Sequence, residues 1–158
     1  MNKSWTKTLN LASADETADL ARRFAQHIMP ADIMLLSGEI GAGKTHFARS
    51  LIHALQEPFG TPEEVPSPTF TRVQTYPVGK AEIWHADLYR LGSVDEIAEL
   101  GLFDAFLNTI CLVEWPERLG KTTPERHLAL RFQQGKTDDA RLLDITANGG
   151  GWDWLNDV

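Results

Sequence analysis

Residues Gly38-Glu39-Ile40-Gly41-Ala42-Gly43-Lys44-Thr45 constrain this chain more than any other segment. They match the pattern G-x-x-x-x-G-K-[ST]. Glycines let successive backbone N–H groups turn inward and form a nest for an anion. A helix that starts at Lys44 aims its positive end at the same point. In this pattern the lysine reaches the β- and γ-phosphates of a nucleotide, and the Thr45 hydroxyl ligates Mg²⁺. The surroundings agree. Ile33-Met34-Leu35-Leu36, just upstream, is a continuous apolar run suited to a strand buried on both faces, as in a parallel sheet. Downstream, Phe47, Ala48, Leu51, Ile52 and Leu55 share one helical face, and Pro58 stops the helix. A chance glycine-rich turn would not need that setting.

A phosphate loop needs a further acidic group to hold Mg²⁺, normally at the end of a neighbouring buried strand. Thr109-Ile110-Cys111-Leu112-Val113 is a second buried-strand run, and Glu114 ends it. Asp87 closes the β-prone run Ala81 to Ala86 and is the other candidate. The plainer readings are a strand-end carboxylate facing water for Glu114 and a helix or turn cap for Asp87. A guanine-specific chain would carry Asn-Lys-x-Asp after a strand. The pair Asn2-Lys3 is followed by Ser4-Trp5, so adenine is the default and the expected ligands are ATP or ADP with Mg²⁺.

The remaining pattern frames this unit. Trp5 to Leu11 alternates like a strand. Ser13-Ala14-Asp15-Glu16 is a capping box opening a helix with Thr17, Leu20, Ala21, Phe24 and Ile28 on one face, ended by Pro30. Glu57 to Pro68 holds four prolines and three glutamates and reads as an exposed loop. Phe70 to Tyr76 and Ala81 to Ala86 form a hairpin candidate around Pro77 to Lys80. Ser93 to Glu96 is a second capping box, and Gly101 separates its short helix from another turn or two over Leu102 to Leu107. His127 to Gln133 and Ala140 to Thr146 read as a closing hairpin around Gln134 to Lys136. The expected fold is α/β: a P-loop NTPase-like mixed sheet flanked by helices, with antiparallel hairpin additions. Residues 1–148 form one domain, and 149–158 form a C-terminal tail with the unusual run Trp152-Asp153-Trp154.

Composition closes off other classes. A net charge of −7 argues against broad contact with nucleic-acid phosphates, DNA included. The single cysteine, Cys111, permits no intramolecular disulfide and reads as a small core residue. Met1 to Leu11 has no apolar stretch of a secretory signal, and no apolar run approaches a membrane span, so a reducing cytoplasm is expected. The histidines show no zinc spacing. His27 and His53 read as solvated or capping, and Glu57, Glu63 and Glu64 as a solvated loop that could also face a basic partner.

Four blocks in order, Gly38 to Thr45, Ser67-Pro68-Thr69-Phe70, His85-Ala86-Asp87-Leu88-Tyr89-Arg90 and Glu114-Trp115-Pro116-Glu117, resemble the TsaE family, formerly YjeE. These are small bacterial ATPases of tRNA threonylcarbamoyladenosine synthesis. The resemblance implies that Gly38, Glu39, Ile40, Gly41, Ala42, Gly43, Lys44, Thr45 and His46 bind the nucleotide, with Ser13 and Thr17 at the first helix opening. It implies Thr45 and Glu114 as Mg²⁺ ligands, and Lys44, Asp87 and Glu114 as the catalytic set, with Asp87 near the metal or the attacking water. Ser67, Pro68, Thr69, His85 and Trp115 match segments that couple nucleotide state to partners. The implied activity is weak, Mg²⁺-dependent ATP hydrolysis that sustains repeated turnover by the TsaB–TsaD threonylcarbamoyl transferase on adenosine 37 of tRNA. Contact with tRNA is then indirect, and no membrane is involved. The chain departs from the family at His46, in the long loop Glu57 to Pro66, and in its tryptophan-bearing tail. Two other readings share the loop: a small-molecule kinase, for which no arginine-rich lid is visible, and a module in which nucleotide only gates partner binding.

Overall fold

The structure is a computed structural model that describes residues 4–39, 41–60, 63–69 and 71–158. Ile40 of the motif and Phe70 of the expected hairpin lie outside the described residues. Strands β1 (Ser4–Leu11), β2 (Ile33–Ser37), β3 (Val73–Val78), β4 (Ala81–Asp87), β5 (Ile110–Glu114), β6 (His127–Gln134) and β7 (Arg141–Asn148) form one sheet in the order β1-β7-β6-β2-β5-β4-β3. β2, β4, β5 and β6 run parallel. β1–β7, β6–β7 and β3–β4 pair antiparallel. The expected mixed P-loop NTPase-like sheet with antiparallel additions is what forms.

Both faces are covered, as apolar runs in the central strands require. Helices α1 (Ala14–Ala25) and α2 (Lys44–Gln56) bury Leu20, Phe24, Phe47, Leu51 and Ile52 against Met34, Leu36, Leu112 and Leu130. On the other face α3 (Val94–Glu99), α4 (Leu102–Asn108) and a 3-10 segment, Pro116–Thr122, cover Ile33, Leu35, Cys111 and Val113. Ser13 and Ser93 cap α1 and α3 through the Glu16 and Glu96 N–H groups, as their capping boxes require. No helix among the described residues is long and apolar enough to cross a membrane.

Several boundaries differ from the sequence reading. α1 stops at Ala25 instead of near Pro30, because its last turn tightens into i→i−3 bonds and the Asp32 carboxylate takes the Met29 N–H at 2.9 Å. Ile28 is buried all the same, from the turn beyond the helix. β3 starts at Val73 and runs through Pro77 to Val78, leaving a two-residue turn at Gly79 and Lys80. A proline is tolerated there because β3 is an edge strand. The 57–68 loop is less free than its composition suggests. Val65 and Pro68 are buried, and α2 holds the loop through Arg49 Nε to the Val65 carbonyl, His53 Nε2 to the Glu63 carbonyl and Gln56 to Glu63. His53 is therefore a loop anchor, and His27 stacks on Trp154. In residues 149–158, Trp152 and Leu155 belong to the α1/α2 core.

The topology brings one edge of the sheet to a focus. The carboxyl ends of β2, β4, β5 and β6 lie at the same edge, since the four strands are parallel. β1 also ends there at Leu11, which is in register with Arg141, itself paired with Gln134. The start of α1 and the β6–β7 connection therefore reach that edge too. Ligands of open α/β sheets bind at such edges, where the strand order reverses, as it does on the two sides of β2.

Candidate nucleotide-binding site

The chain leaves β2 through the glycine motif and enters α2 at Lys44. Gly38, Gly41 and Gly43 have φ of 132°, 83° and 109°, which side chains beyond glycine rarely adopt. Gly38 is required for a second reason, because a Cβ there would sit 2.4 Å from the Phe132 carbonyl oxygen. Gly43 serves as the N-cap of α2 without any side-chain cap, so the first N–H groups of that helix are left for an outside acceptor.

Above this loop lies a cleft of about 390 Å³. Gly41, Gly43, Lys44, Thr45 and His46 form its floor, Asp87, Glu114 and Trp115 one wall, Ser67 and Thr69 a rim, and Ala14, Thr17, Asp139 and Arg141 the opposite side. Thr45 Oγ1 lies 3.4 Å from Glu114 Oε1. The other oxygen, Oε2, is 2.6 Å from Nε2 of the fully buried His85. Neighbouring Asp87, in register with Glu114, accepts from Thr69 Oγ1 at 3.1 Å and from the Tyr89 N–H at 2.9 Å. Ser67 and Thr69 are joined at 2.9 Å. Lys44 is buried, with Nζ 4.3 Å from the centroid of the Trp115 ring. Trp115 takes the left-handed conformation at φ 58°, which turns its ring off the strand onto both Lys44 and Tyr89.

The cleft thus gathers Lys44, Thr45, His46, Thr17, Ser67, Thr69, Asp87, Glu114 and Trp115 from the sequence reading. Gly38, Glu39 and Ala42 line a smaller depression on the back of the loop, Ser13 caps α1 behind the cleft, and Pro68 is buried beside the rim. Glu114 is buried, not a carboxylate facing water, and Asp87 does cap the turn that follows it. His46 turns to the Ala14 carbonyl at 3.0 Å and so ties α2 to α1. Sequence reasoning missed Asp139 and Arg141. Arg141 Nη2 donates to the Gly41 carbonyl at 3.0 Å and braces the loop from β7. The only signal for it was the closing hairpin, whose connection the parallel order brings to this edge.

The donors suit Mg²⁺. Thr45 and Glu114 offer hard oxygens in reach of one another, and no group of three or more His, Cys, Asp or Glu among the described residues could hold a metal alone. Mg²⁺ in phosphate sites is held in that sparse way, by one or two carboxylates with phosphate and water completing the shell.

A nest between a central parallel strand and an uncapped helix, facing acidic side chains on adjacent strand ends, defines a P-loop NTPase-like protein. The solved structure of Bacillus subtilis YdiB agrees, with a TM-score of 0.73 at 27% identity over 99% of this chain and 94% of that one. Residues 11–143 match the family described as threonylcarbamoyl adenosine biosynthesis protein TsaE, and the chain belongs to that family. The tRNA threonylcarbamoyladenosine biosynthesis protein TsaE of Rickettsia bellii is 39% identical over 86% of this chain and 92% of its own length. Its namesake in Bacillus subtilis is 34% identical over 89% and 85%.

Proposed function

We propose that the chain is a Mg²⁺-dependent ATPase that acts in tRNA threonylcarbamoyladenosine formation, in support of the TsaB–TsaD transferase. One observation carries the site reading: Thr45 and Glu114 meet beneath a nest of loop N–H groups at the mouth of a cleft large enough for a nucleotide. Family membership and the names of the relatives support the pathway.

In this reading the loop N–H groups and the start of α2 hold the phosphates. Lys44 leaves the Trp115 ring for the β- and γ-phosphates, where charge-assisted bonds are stronger than a cation–π contact. Mg²⁺, held by Thr45 and Glu114, neutralises charge on the phosphate oxygens. Asp87 orients the attacking water, and its bond to Thr69 ties the Ser67-Pro68-Thr69 segment to the γ-phosphate position. Trp115, released from Lys44, carries the nucleotide state to the surface beside Tyr89.

Calorimetric titration with ADP and Mg²⁺, with phosphate release from ATP measured in parallel, tests this. Wild type should bind and hydrolyse without any added phosphoryl acceptor. Lys44→Ala should lose binding, and Glu114→Gln should keep the fold and lose most turnover. Equal behaviour of all three proteins would sink the assignment.

A further inference from the structure

We propose that His85 is a positioning residue that sets the cation preference of the site. By occupying one oxygen of Glu114 it leaves a single free oxygen, which suits Mg²⁺ over Ca²⁺. The proposal rests on the nucleotide–Mg²⁺ reading above and adds a selectivity to it.

The Glu114 carboxylate is unevenly bound. Oε2 is held by His85 Nε2 at 2.6 Å, whereas among the described residues Oε1 has only the Thr45 hydroxyl at 3.4 Å. A hydroxyl at that distance is loosely engaged and turns away at little cost. The imidazole has no such freedom. His85 is fully buried, and its backbone is paired on both sides, to Gln74 of β3 and Leu112 of β5. A segment that orders or disorders with the nucleotide cannot be built from such a residue, which separates His85 from Ser67 and Thr69 on the rim. Its other nitrogen, Nδ1, is buried and has no partner among the described residues. Burying an unsatisfied nitrogen costs stability. Among the described residues the ring's one hydrogen bond is to Glu114, and that bond is what we assign to it.

The consequence follows from cation chemistry. Mg²⁺ takes near-octahedral shells at about 2.0–2.1 Å, with carboxylates, phosphates and retained waters. Ca²⁺ takes about six to eight oxygens and accepts bidentate carboxylates readily. With Oε2 occupied, Glu114 offers one oxygen, and the site is poor in other protein ligands. Without the imidazole, Glu114 is free to turn and offer both oxygens. Mg²⁺ then loses a fixed ligand while Ca²⁺ gains one.

The test is titration of the full chain with ADP in Mg²⁺ or Ca²⁺, with thermal unfolding of each variant alongside. Wild type should favour Mg²⁺. In His85→Leu the Mg²⁺ concentration that half-supports ADP binding should rise about 10- to 100-fold, the usual cost of losing a partner of a metal ligand. The Mg²⁺-over-Ca²⁺ preference should narrow with it. His85→Gln, whose amide nitrogen reaches the place of Nε2, should recover most of both. A purely packing role gives the reverse order, with leucine near wild type and glutamine impaired, and overturns the proposal. If His85→Leu does not fold, His85→Asn replaces it, since its shorter amide cannot reach Oε2. Wild-type metal preference in both amide variants then overturns the proposal. Lys44→Ala separates the two readings. If it binds ADP–Mg²⁺ as wild type does, or wild type does not bind, the nucleotide reading fails. If Lys44→Ala alone loses binding while His85→Leu keeps the wild-type preference, only the role of His85 is refuted.

Discussion

Cys111 lies inside β5 between Ile110 and Leu112, and burial pushes its thiol from the ordinary 9.0 up to about 11. A nearby Thr109 hydroxyl acts in the opposite sense and is outweighed. The thiolate is the reactive form, so the native thiol should alkylate far more slowly at pH 8 than the unfolded chain does. Labelling with iodoacetamide with and without urea measures this, and equal rates would refute the burial account. The sign of the linkage follows. A folded-state value raised above the unfolded one leaves stability intact below pH 9.0 and erodes it as the pH climbs through about 11. The same desolvation raises Tyr76, helped by the Glu63 charge, so both groups act in one direction under alkali. Lys44 shows the complementary economy at the site. Buried and without a carboxylate partner among the described residues, its ammonium lies over the face of the Trp115 ring.

The phosphate loop is an element whose shape depends on two backbone positions of different character. At Gly38 a methyl would press on the Phe132 carbonyl, part of a strand paired on both sides and unable to yield. At Gly41 a methyl would meet nothing within 4 Å, and only the positive φ of 83° would be strained. Gly38→Ala should therefore cost ~2–4 kcal/mol, from steric overlap and backbone strain together. Gly41→Ala should cost ~1–2 kcal/mol. Melting temperatures should drop in that order, at roughly 2–4 °C per kcal/mol for a chain of this size. Equal drops would mean the close approach to β6 does not hold the loop. The elements also show how far the sequence was legible. Continuous apolar runs marked β2 and β5, and capping serines marked α1 and α3, because each signal is local. What failed was non-local. Nothing near Pro30 told that Asp32 would take over the end of α1, and Pro77 could be judged only once β3 was known to be an edge. At the site, motif spacing pointed to Lys44, Thr45, Asp87 and Glu114, which the parallel order gathers. The contacts of Arg141 with Gly41 and of His85 with Glu114 join residues far apart in the chain, and no spacing rule reaches across them.

At the scale of the whole molecule several cations tie separate segments of the fold together. Arg126 pairs with Asp32 at 2.9 Å and lies over the Trp152 ring, fastening residues 149–158 to the foot of β2. Lys7 donates to the Val158 carbonyl, Arg49 to Val65, Arg118 to Tyr89 and Arg141 to the phosphate loop. With 15 basic against 22 acidic side chains and a net charge of −7, the chain has no excess of positive charge with which to displace many counterions from a polyanion. Affinity for nucleic acid comes mainly from that displacement, so naked tRNA should bind no more tightly than ~10⁻⁴ M, the weak end of non-specific contact at physiological salt. In the proposed function, contact with tRNA would therefore run through the TsaB–TsaD partners. In a reconstitution with TsaB, TsaD, tRNA and a threonylcarbamoyl donor, wild type should sustain many rounds of modification. If the proposed ATPase role holds, Lys44→Ala should stall after few, since it would lose the nucleotide on which cycling depends. Multiple turnover that is indifferent to this chain would refute the coupling. Tight, salt-sensitive binding of tRNA to the isolated chain would refute the electrostatic argument and leave the coupling standing.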